Sequence, residues 1–467
     1  MVMGDVPVEA EVVVVGAGPG GYAAAFHGAD LGLDVTLVTE EERLGGVCLL
    51  RGCIPSKTLL SLGDLIRAAR GAQDKGVAFQ DPELDLQGIR TWKNGVVDRL
   101  TGGLDRLADD RSVEVVHGRG RFAGPERLHV HGEEEVEVSF DHAILATGSR
   151  PIPLPPAEFG DSVWSSAQAL EMEEIPESLL VVGGGYVGLE LGSVYASLGS
   201  EVTLVEMEDQ LLPGTDTDLV EPLSRRLGDL FHGLHLQTSI AGMEEKEDGM
   251  AVAFEGEDTP ENGTYQRVLL AVGRRPNTED MGLEEAGVEL DEDGFVTVDA
   301  QRRSSQESIL AVGDVTGDPL LAHKAMREGK VAAEVLAGEP AAYDPRAVPA
   351  VIYTDPQIAV CGLTEAEAAE EGREVQVVRF PWQASGRAVS MGGGEGFTKL
   401  LLEPDSRRVL GMGIVGPQAE ALIAEGALAM EMGAVARDLA LTVHPHPTLS
   451  ETVQEAAEEA LGRGTHV

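Results

Sequence analysis

Two glycine turns, each set between an apolar run and a helix-compatible stretch, and a change of character near Pro345 predict an α/β chain. It holds two Rossmann-like dinucleotide-binding units, the first interrupted by the second, followed by an α+β domain. The expected boundaries are 1–150 and 277–345 for the two parts of the first unit, 151–276 for the second unit and 346–467 for the last domain. At about 150 residues per domain, 467 residues bound the chain at roughly three domains, long enough to bury several cores.

The first unit reads as the apolar strand Val12–Val15, the turn Gly16-Ala17-Gly18-Pro19-Gly20-Gly21, a helix over Tyr22–Leu31 and a second strand, Val35–Val38. Gly16 permits the tight turn, Gly18 lets a pyrophosphate approach the backbone, and Gly21 allows close helix–strand packing, with the helix N-terminus facing the phosphates. The second unit repeats this with Leu179–Val182, a turn containing Gly183, Gly185 and Gly188, a helix through Leu198 and the strand Val202–Val205 ending at Glu206. A carboxylate at Glu206 accepts ribose hydroxyls and repels the extra phosphate of NADP, so this unit is expected to take NAD. At the same offset the first unit has Thr39; Glu40, one residue later, would have to reach around the strand end.

Three further runs, Ala143–Ala146, Val268–Val272 and Ile309–Val312, end near Gly148, Gly273 and Gly313-Asp314 and read as buried parallel strands. Residues Pro151–Pro156 form a stiff proline-rich crossover, with Gly273–Asn277 as the return. In the last domain Val375–Phe380 and Lys399–Leu402 read as strands and Glu420–Met432 as a helix.

Composition restricts the partners. The 80 acidic against 35 basic residues give a net charge of −45, a field that repels phosphate backbones and anionic lipid headgroups. With 43% hydrophobic residues the chain is too apolar for disorder, so the acid belongs to the surface. Such charge self-repels at low ionic strength and is screened within about 3 Å at molar salt. Together with the scarcity of Lys beside Arg, this points to a salt-rich cytoplasm. No apolar run approaches the roughly 20 residues of a membrane span, and Met1–Ala10 has no basic residue before an apolar stretch, so a cytoplasmic location is expected.

Three cysteines do not make a secreted disulfide framework, so any disulfide here is expected to be catalytic. Cys48 and Cys53 flank a short glycine-containing turn within Gly45–Lys57, and Pro55 suits the first turn of a helix running through Ala69. That places Cys53 at a positive helix end, where a thiolate is stabilised, and the geometry favours a redox pair over two buried thiols. A metal site there lacks third and fourth ligands nearby, and Cys361 reads as a core thiol. Near the C-terminus His444-Pro445-His446-Pro447 is a rigid presenting loop. His446 suits a general base and Glu451 its orienting acid, while a metal-binding pair of His444 with His446, or a plain surface loop, stays open.

Taken in order, Gly16–Gly21, Gly45–Lys57, Ala146–Pro151, Gly183–Glu190, Gly273–Pro276, Gly313-Asp314, Ala322-His323-Lys324 and His444–Glu451 resemble the dihydrolipoyl dehydrogenase group. That group lies within class I of the pyridine nucleotide–disulfide oxidoreductases, and the likeness covers nearly the whole chain. The resemblance implies FAD on the first unit, held by Gly16, Gly18, Gly20, Gly21, Glu40, Gly46, Lys57, Thr147, Gly148, Gly313, Ala322 and, on the ribityl chain, Asp314. It implies NAD on Gly183, Gly185, Tyr186, Gly188, Glu206 and Gly273 of the second. Lys57 and Glu190 match a pair beside the flavin ring, Cys53 the thiol nearest the flavin and Cys48 the outer thiol that exchanges with substrate.

The implied reaction is oxidation of dihydrolipoamide on lipoyl domains of 2-oxoacid dehydrogenase or glycine cleavage complexes, with NAD+ reduced to NADH. The last domain would dimerise the chain, and His446 would complete the partner subunit's site in a homodimer. Docking to an acyltransferase core is a further implied partnership. The chain departs from the family at Leu50, where Asn is usual, at Arg51, where a small apolar residue is common, and at Thr39, where an acid is usual. These departures bear on FAD affinity and substrate access. Two alternatives remain at this level. An NADPH-dependent thiol or metal reductase of the same fold is opposed by Glu206 and by the lack of a cysteine pair in Gly462–Val467. A non-catalytic flavin-binding scaffold is opposed by Cys48, Cys53, His446 and Glu451.

Overall fold

Valine-rich segments buried on both faces pair most stably in the interior of a parallel sheet, and the first run does so. The strand β1 (Val8–Val15) lies between β2 (Val35–Thr39) and the strand Glu135–Leu145, parallel to both, with Val12 opposite Val35 and Val15 opposite Leu145. The computed structural model describes residues 8–155, 157–257 and 259–467. Residues 1–7 of the opening segment and Pro156 of the proline crossover therefore lie outside the described residues.

Helix α1 (Pro19–Asp30) follows the first glycine turn, with Gly18 at its N-cap. The strand Ile309–Ala311 returns to this sheet beside Glu135–Leu145, parallel to it. The N-terminal half of that long strand pairs antiparallel with Arg127–His131. Among the described residues the second unit is a five-stranded sheet, parallel throughout, in the order 233–235, 201–205, 178–182, 267–270, 163–164. The last domain is a five-stranded antiparallel sheet around Trp382, Leu400 and Ile414. This is the α/β and α+β architecture expected from the sequence.

One local expectation needs correction. The run Val268–Val272 is strand only through Leu270, and Val272 is 38% exposed, because the chain has already left the sheet for the crossover. The stiff crossover and its return meet: Ser149–Pro151 and Arg274–Pro276 pair antiparallel into a two-stranded ribbon. Asn277 braces it, donating from its side chain to the Thr147 carbonyl at 2.9 Å and from its amide to Gly148 at 2.9 Å.

The second unit is also fixed to the last domain. The side chain of Lys399, 1% exposed, donates to Asp216 and Asp218 at 2.6 Å each and to Glu365 at 3.0 Å, so its ammonium fills the centre of this acidic cluster. Cys361 is buried in the core of the last domain, where burial pushes its thiol up to about 12.

Candidate active site

A cavity of about 720 Å3 opens at the carboxyl ends of the first sheet's strands, where open α/β sheets place their ligands. The first glycine turn lines it through Gly16, Gly18 and Gly20, together with Glu40, Gly46, Thr147, Gly148, Gly313, Asp314 and Ala322. Cys48, Cys53 and Lys57 form one wall, and Tyr186 and Glu190 reach in from the second unit. Gly21 lies behind the turn: a Cβ there would stand 1.7 Å from the Gly16 carbonyl oxygen, so the residue serves packing. At Gly18 a Cβ would meet nothing within 4 Å, which leaves open space over the loop, while at Gly46 it would strike the Gly18 Cα at 2.5 Å.

The two cysteines sit on successive helices, and between them stand helical residues and Gly52 where a turn is expected from the sequence. Cys48 lies within α2 (Gly46–Arg51), Gly52 breaks the chain direction, and Cys53 is the first residue of α3 (Cys53–Gly71). Both are free thiols, Cys53 exposed and Cys48 half-buried. A hydrogen bond between the two thiols, aided by the Lys57 ammonium, holds Cys53 down to about 7 against the opposing effect of burial. The same hydrogen bond, with burial, drives Cys48 far upward. On reduction the negative charge therefore resides on Cys53, at the amino end of a 19-residue helix.

Lys57 lies one turn further along α3 and donates to Glu190 at 2.7 Å. Glu190 is 3% exposed and accepts a second hydrogen bond, at 3.1 Å, from the Tyr353 amide of the last domain. Asp314 is oriented through a chain of residues: the Ser149 hydroxyl donates to it at 2.6 Å, and Arg274 Nε donates to that hydroxyl at 2.7 Å. Glu328, fully buried, accepts the Gly313 amide at 2.7 Å and pairs with Arg302 at 2.7 Å and Lys324 at 3.2 Å. Sequence reasoning assigned no role to Tyr353, Ser149, Arg274 or Glu328. Ser149 and Arg274 stood inside quoted motifs, whereas Tyr353 and Glu328 carry no local signal.

Thr39 is buried at the end of β2, and its hydroxyl accepts the Glu41 amide at 3.2 Å. Glu40 is exposed and lines the cavity, while Arg51 pairs with Glu41 at the rim.

Of the second glycine turn, Tyr186 and Val187 line this cavity, whereas Gly183, Gly185, Gly188, Glu206 and Gly273 do not. Glu206 is 7% exposed, and its carboxylate accepts the amides of Gly184 at 2.5 Å and Glu208 at 3.0 Å. An acceptor at the strand end thus orders the loop that a dinucleotide would meet.

The histidine loop is a third locus. His446 Nδ1 lies 2.8 Å from Glu451 Oε1, and the ring is 79% exposed. Burial raises the Glu451 carboxyl, but the Thr448 amide and the His446 ring outweigh it and hold the group below its ordinary range. His444 Nε2 instead meets Glu425 at 2.8 Å. Each ring has its own carboxylate, an arrangement that favours an oriented base over a histidine pair sharing a metal. Neither His446 nor Glu451 lines the cavity of this protomer.

Comparison with known proteins bears on the family and the fold. The family model described as pyridine nucleotide-disulphide oxidoreductase matches residues 10–329, and its dimerisation domain matches residues 348–457. Dihydrolipoyl dehydrogenase of Vibrio parahaemolyticus is 49% identical over 454 residues, which are 97% of this chain and 95% of that one. Its counterpart in Haloferax volcanii is 48% identical over 473 residues, 100% of this chain and 99% of the other. Among solved structures, LpdA from Mycobacterium tuberculosis superposes with a TM-score of 0.89 at 27% identity, covering 97% of this chain and 99% of that one.

Proposed function

The chain belongs to the pyridine nucleotide-disulphide oxidoreductase family, and from that premise we propose that Cys48 and Cys53 are its reacting pair. It is a flavoprotein oxidoreductase that converts dihydrolipoamide to lipoamide and reduces NAD+ to NADH. The observation that carries the assignment of the pair is its placement: Cys48 and Cys53 stand on successive helices in the cavity wall beside Lys57, with Cys53 at the amino end of α3.

The cavity fits FAD: open space over Gly18, close approach at Gly46 and the aimed Asp314 suit an anionic dinucleotide with a hydroxylated chain. Gly16, Gly20, Thr147, Gly148, Gly313 and Ala322 would enclose it, and Glu40 would take the ribose that Thr39 cannot. Bound FAD supplies the two-electron relay between the thiol pair and NAD, which the second turn and Glu206 would hold.

The residues act as follows. His446, its Nδ1 fixed by Glu451, takes a proton at Nε2 from a substrate thiol. The resulting thiolate attacks Cys48 of the oxidised pair; a substrate–Cys48 bond forms, the Cys48–Cys53 bond breaks, and Cys53 leaves as thiolate. Cys53 is the better leaving group because the Lys57 ammonium and the amino end of α3 stabilise its charge. The second substrate thiol then bonds to the first substrate sulfur as the substrate–Cys48 bond breaks, its proton passing to Cys48, which releases cyclic disulfide and leaves the enzyme pair reduced by two electrons as Cys48 thiol and Cys53 thiolate.

His446 would serve the partner's cavity in a homodimer. The matched dimerisation domain supports this, as do the apolar side chains of Leu428, Met432 and Val443, 63%, 76% and 93% exposed around the histidine loop. Lipoyl domains docked near an acyltransferase core would present the substrate. The location would be a salt-rich cytoplasm; among the described residues no helix is long and apolar enough to cross a membrane.

Steady-state assay of NAD and NADP against dihydrolipoamide and glutathione tests the reaction. Turnover is expected with NAD and dihydrolipoamide, and preference for NADP with glutathione would refute it. The −45 charge predicts a melting temperature that rises from dilute buffer to molar potassium chloride, and a flat response would remove the salt-adapted reading.

A further inference from the structure

The Lys57–Glu190 pair has a third member that belongs to neither nucleotide unit. Tyr353 follows the strand Ala350–Ile352 of the last domain, and its ring lies 4.5 Å from Lys57 Nζ while its amide holds Glu190 Oε1. The segment is pinned to the helix that carries the reacting thiol. Two residues on, Asp355 pairs with Arg67 of α3 at 3.4 Å and with Arg226 of the second unit at 3.2 Å. A half-buried aromatic face under an ammonium is an attractive electrostatic contact, strengthened where water is partly excluded.

We propose that Tyr353 is a positioning residue that holds the Lys57 ammonium toward Cys53, so that the last domain sets the charge state of the reacting thiol. The proposal rests on the reading of Cys48 and Cys53 as the redox pair.

Glu190 pulls Lys57 from one side through a charged hydrogen bond. The ring supplies a second anchor, which stops the flexible four-carbon stem from swinging away from the thiol. The groups facing Cys53 are Cys48 from α2, Lys57 from α3, Glu190 and Tyr186 from the helix Tyr186–Leu198, Tyr22 from α1 and Tyr353 itself. Of these Lys57 is the only cation, so its placement sets the sign of the local field. Glu420, on the helix Ala419–Glu431, adds negative charge near Tyr353.

The test is the pH profile of iodoacetamide alkylation at Cys53 in reduced holoenzyme, read by mass spectrometry, with FAD content and melting temperature measured in parallel. Tyr353→Phe keeps the ring and should titrate as the parent does. Tyr353→Leu removes the ring but keeps the amide, and should raise the midpoint by about half to one pH unit, a roughly three- to tenfold loss of thiolate at fixed pH. Tyr353→Trp, with the stronger ring face, should leave the midpoint at or below the parent's, and it decides the matter should the Leu variant fail to fold. A Leu midpoint equal to the parent's, a Phe midpoint shifted as far as that of Leu, or a Trp midpoint above the parent's overturns the proposal. A change in melting temperature alone, with the midpoint fixed, marks a purely structural residue and also overturns it. The parent's long-wavelength absorbance on dithiol addition is recorded separately. Its absence refutes the redox-pair reading, whereas the alkylation profile judges Tyr353 either way.

Discussion

The two glycine turns share a backbone and differ in what surrounds it. Gly16 and Gly183 adopt φ of +109° and +107°, and a Cβ on either would stand 2.3 Å from the Ala146 oxygen or 2.5 Å from the Ala271 oxygen. Gly18 and Gly185 both face open space. Beyond the turn the likeness stops. The first unit opens into a cavity walled by three parts of the chain, and its strand ends on a buried threonine with an exposed acid beside it. The turn glycines of the second do not line that cavity, and its strand-end carboxylate is turned back onto its own loop. A glycine turn therefore specifies where phosphates approach, while enclosure decides whether a ligand stays resident or exchanges. The first site suits a permanent cofactor and the second a nucleotide that comes and goes.

The sharpest test of this division removes the thiol chemistry and leaves both turns intact. Cys48→Ser is expected to abolish dithiol oxidation while the purified protein keeps its FAD, because the flavin enclosure rests on the first turn and Asp314. Colourless protein would show that the first cavity depends on the thiol wall.

Next in size is His446→Gln. General-base assistance is worth about 10²–10⁴-fold, so dihydrolipoamide turnover should fall on that order, while electron passage from NADH to an artificial acceptor stays nearly unchanged. Equal loss in both assays would join the two halves that the comparison separates. His444→Gln should cost less, since that ring is committed to Glu425, and zinc rescue of both histidine variants would reinstate the metal reading.

The smallest expected effect concerns the strand ends. Glu206→Ala should lower the NAD to NADP efficiency ratio about tenfold or more, as a charge-assisted hydrogen bond is worth about 1.5–3 kcal/mol. Part of any stability loss would come from the Gly184 and Glu208 amides losing their acceptor. Glu206→Gln keeps an acceptor without the charge and should restore the loop while still admitting a 2′-phosphate. Glu40→Ala should leave that ratio untouched and weaken FAD retention by a few-fold, the exposed acid being worth about 1 kcal/mol or less. An unchanged ratio in Glu206→Ala would mean that the second unit does not read the ribose there.

Much of this was legible in the sequence because it is local. Val12–Val15 and Leu179–Val182 announce buried parallel strands by composition, and the glycine spacings fix turns whose steric requirement lies within a few residues. The cysteine spacing and the start of α3 likewise placed a thiol at a helix end. Glu451 five residues after His446 gave a carboxylate within reach of the ring, and the ring found it at 2.8 Å.

What tertiary structure alone decided are contacts across long sequence separations. The helical state of 46–51 follows from packing that local signals in a glycine-rich stretch do not report. The linker ribbon joins residues 149–151 to 274–276, Arg274 reaches Asp314 through Ser149, and Tyr353 meets a pair drawn from positions 57 and 190. Local steric rules are written in neighbouring residues and survive in one dimension. An ion's environment is instead a sum over groups brought near it by folding: Cys48 and Lys57, which favour the charge on Cys53, stand in its own motif, whereas Glu190, which opposes it, is brought in from the second unit.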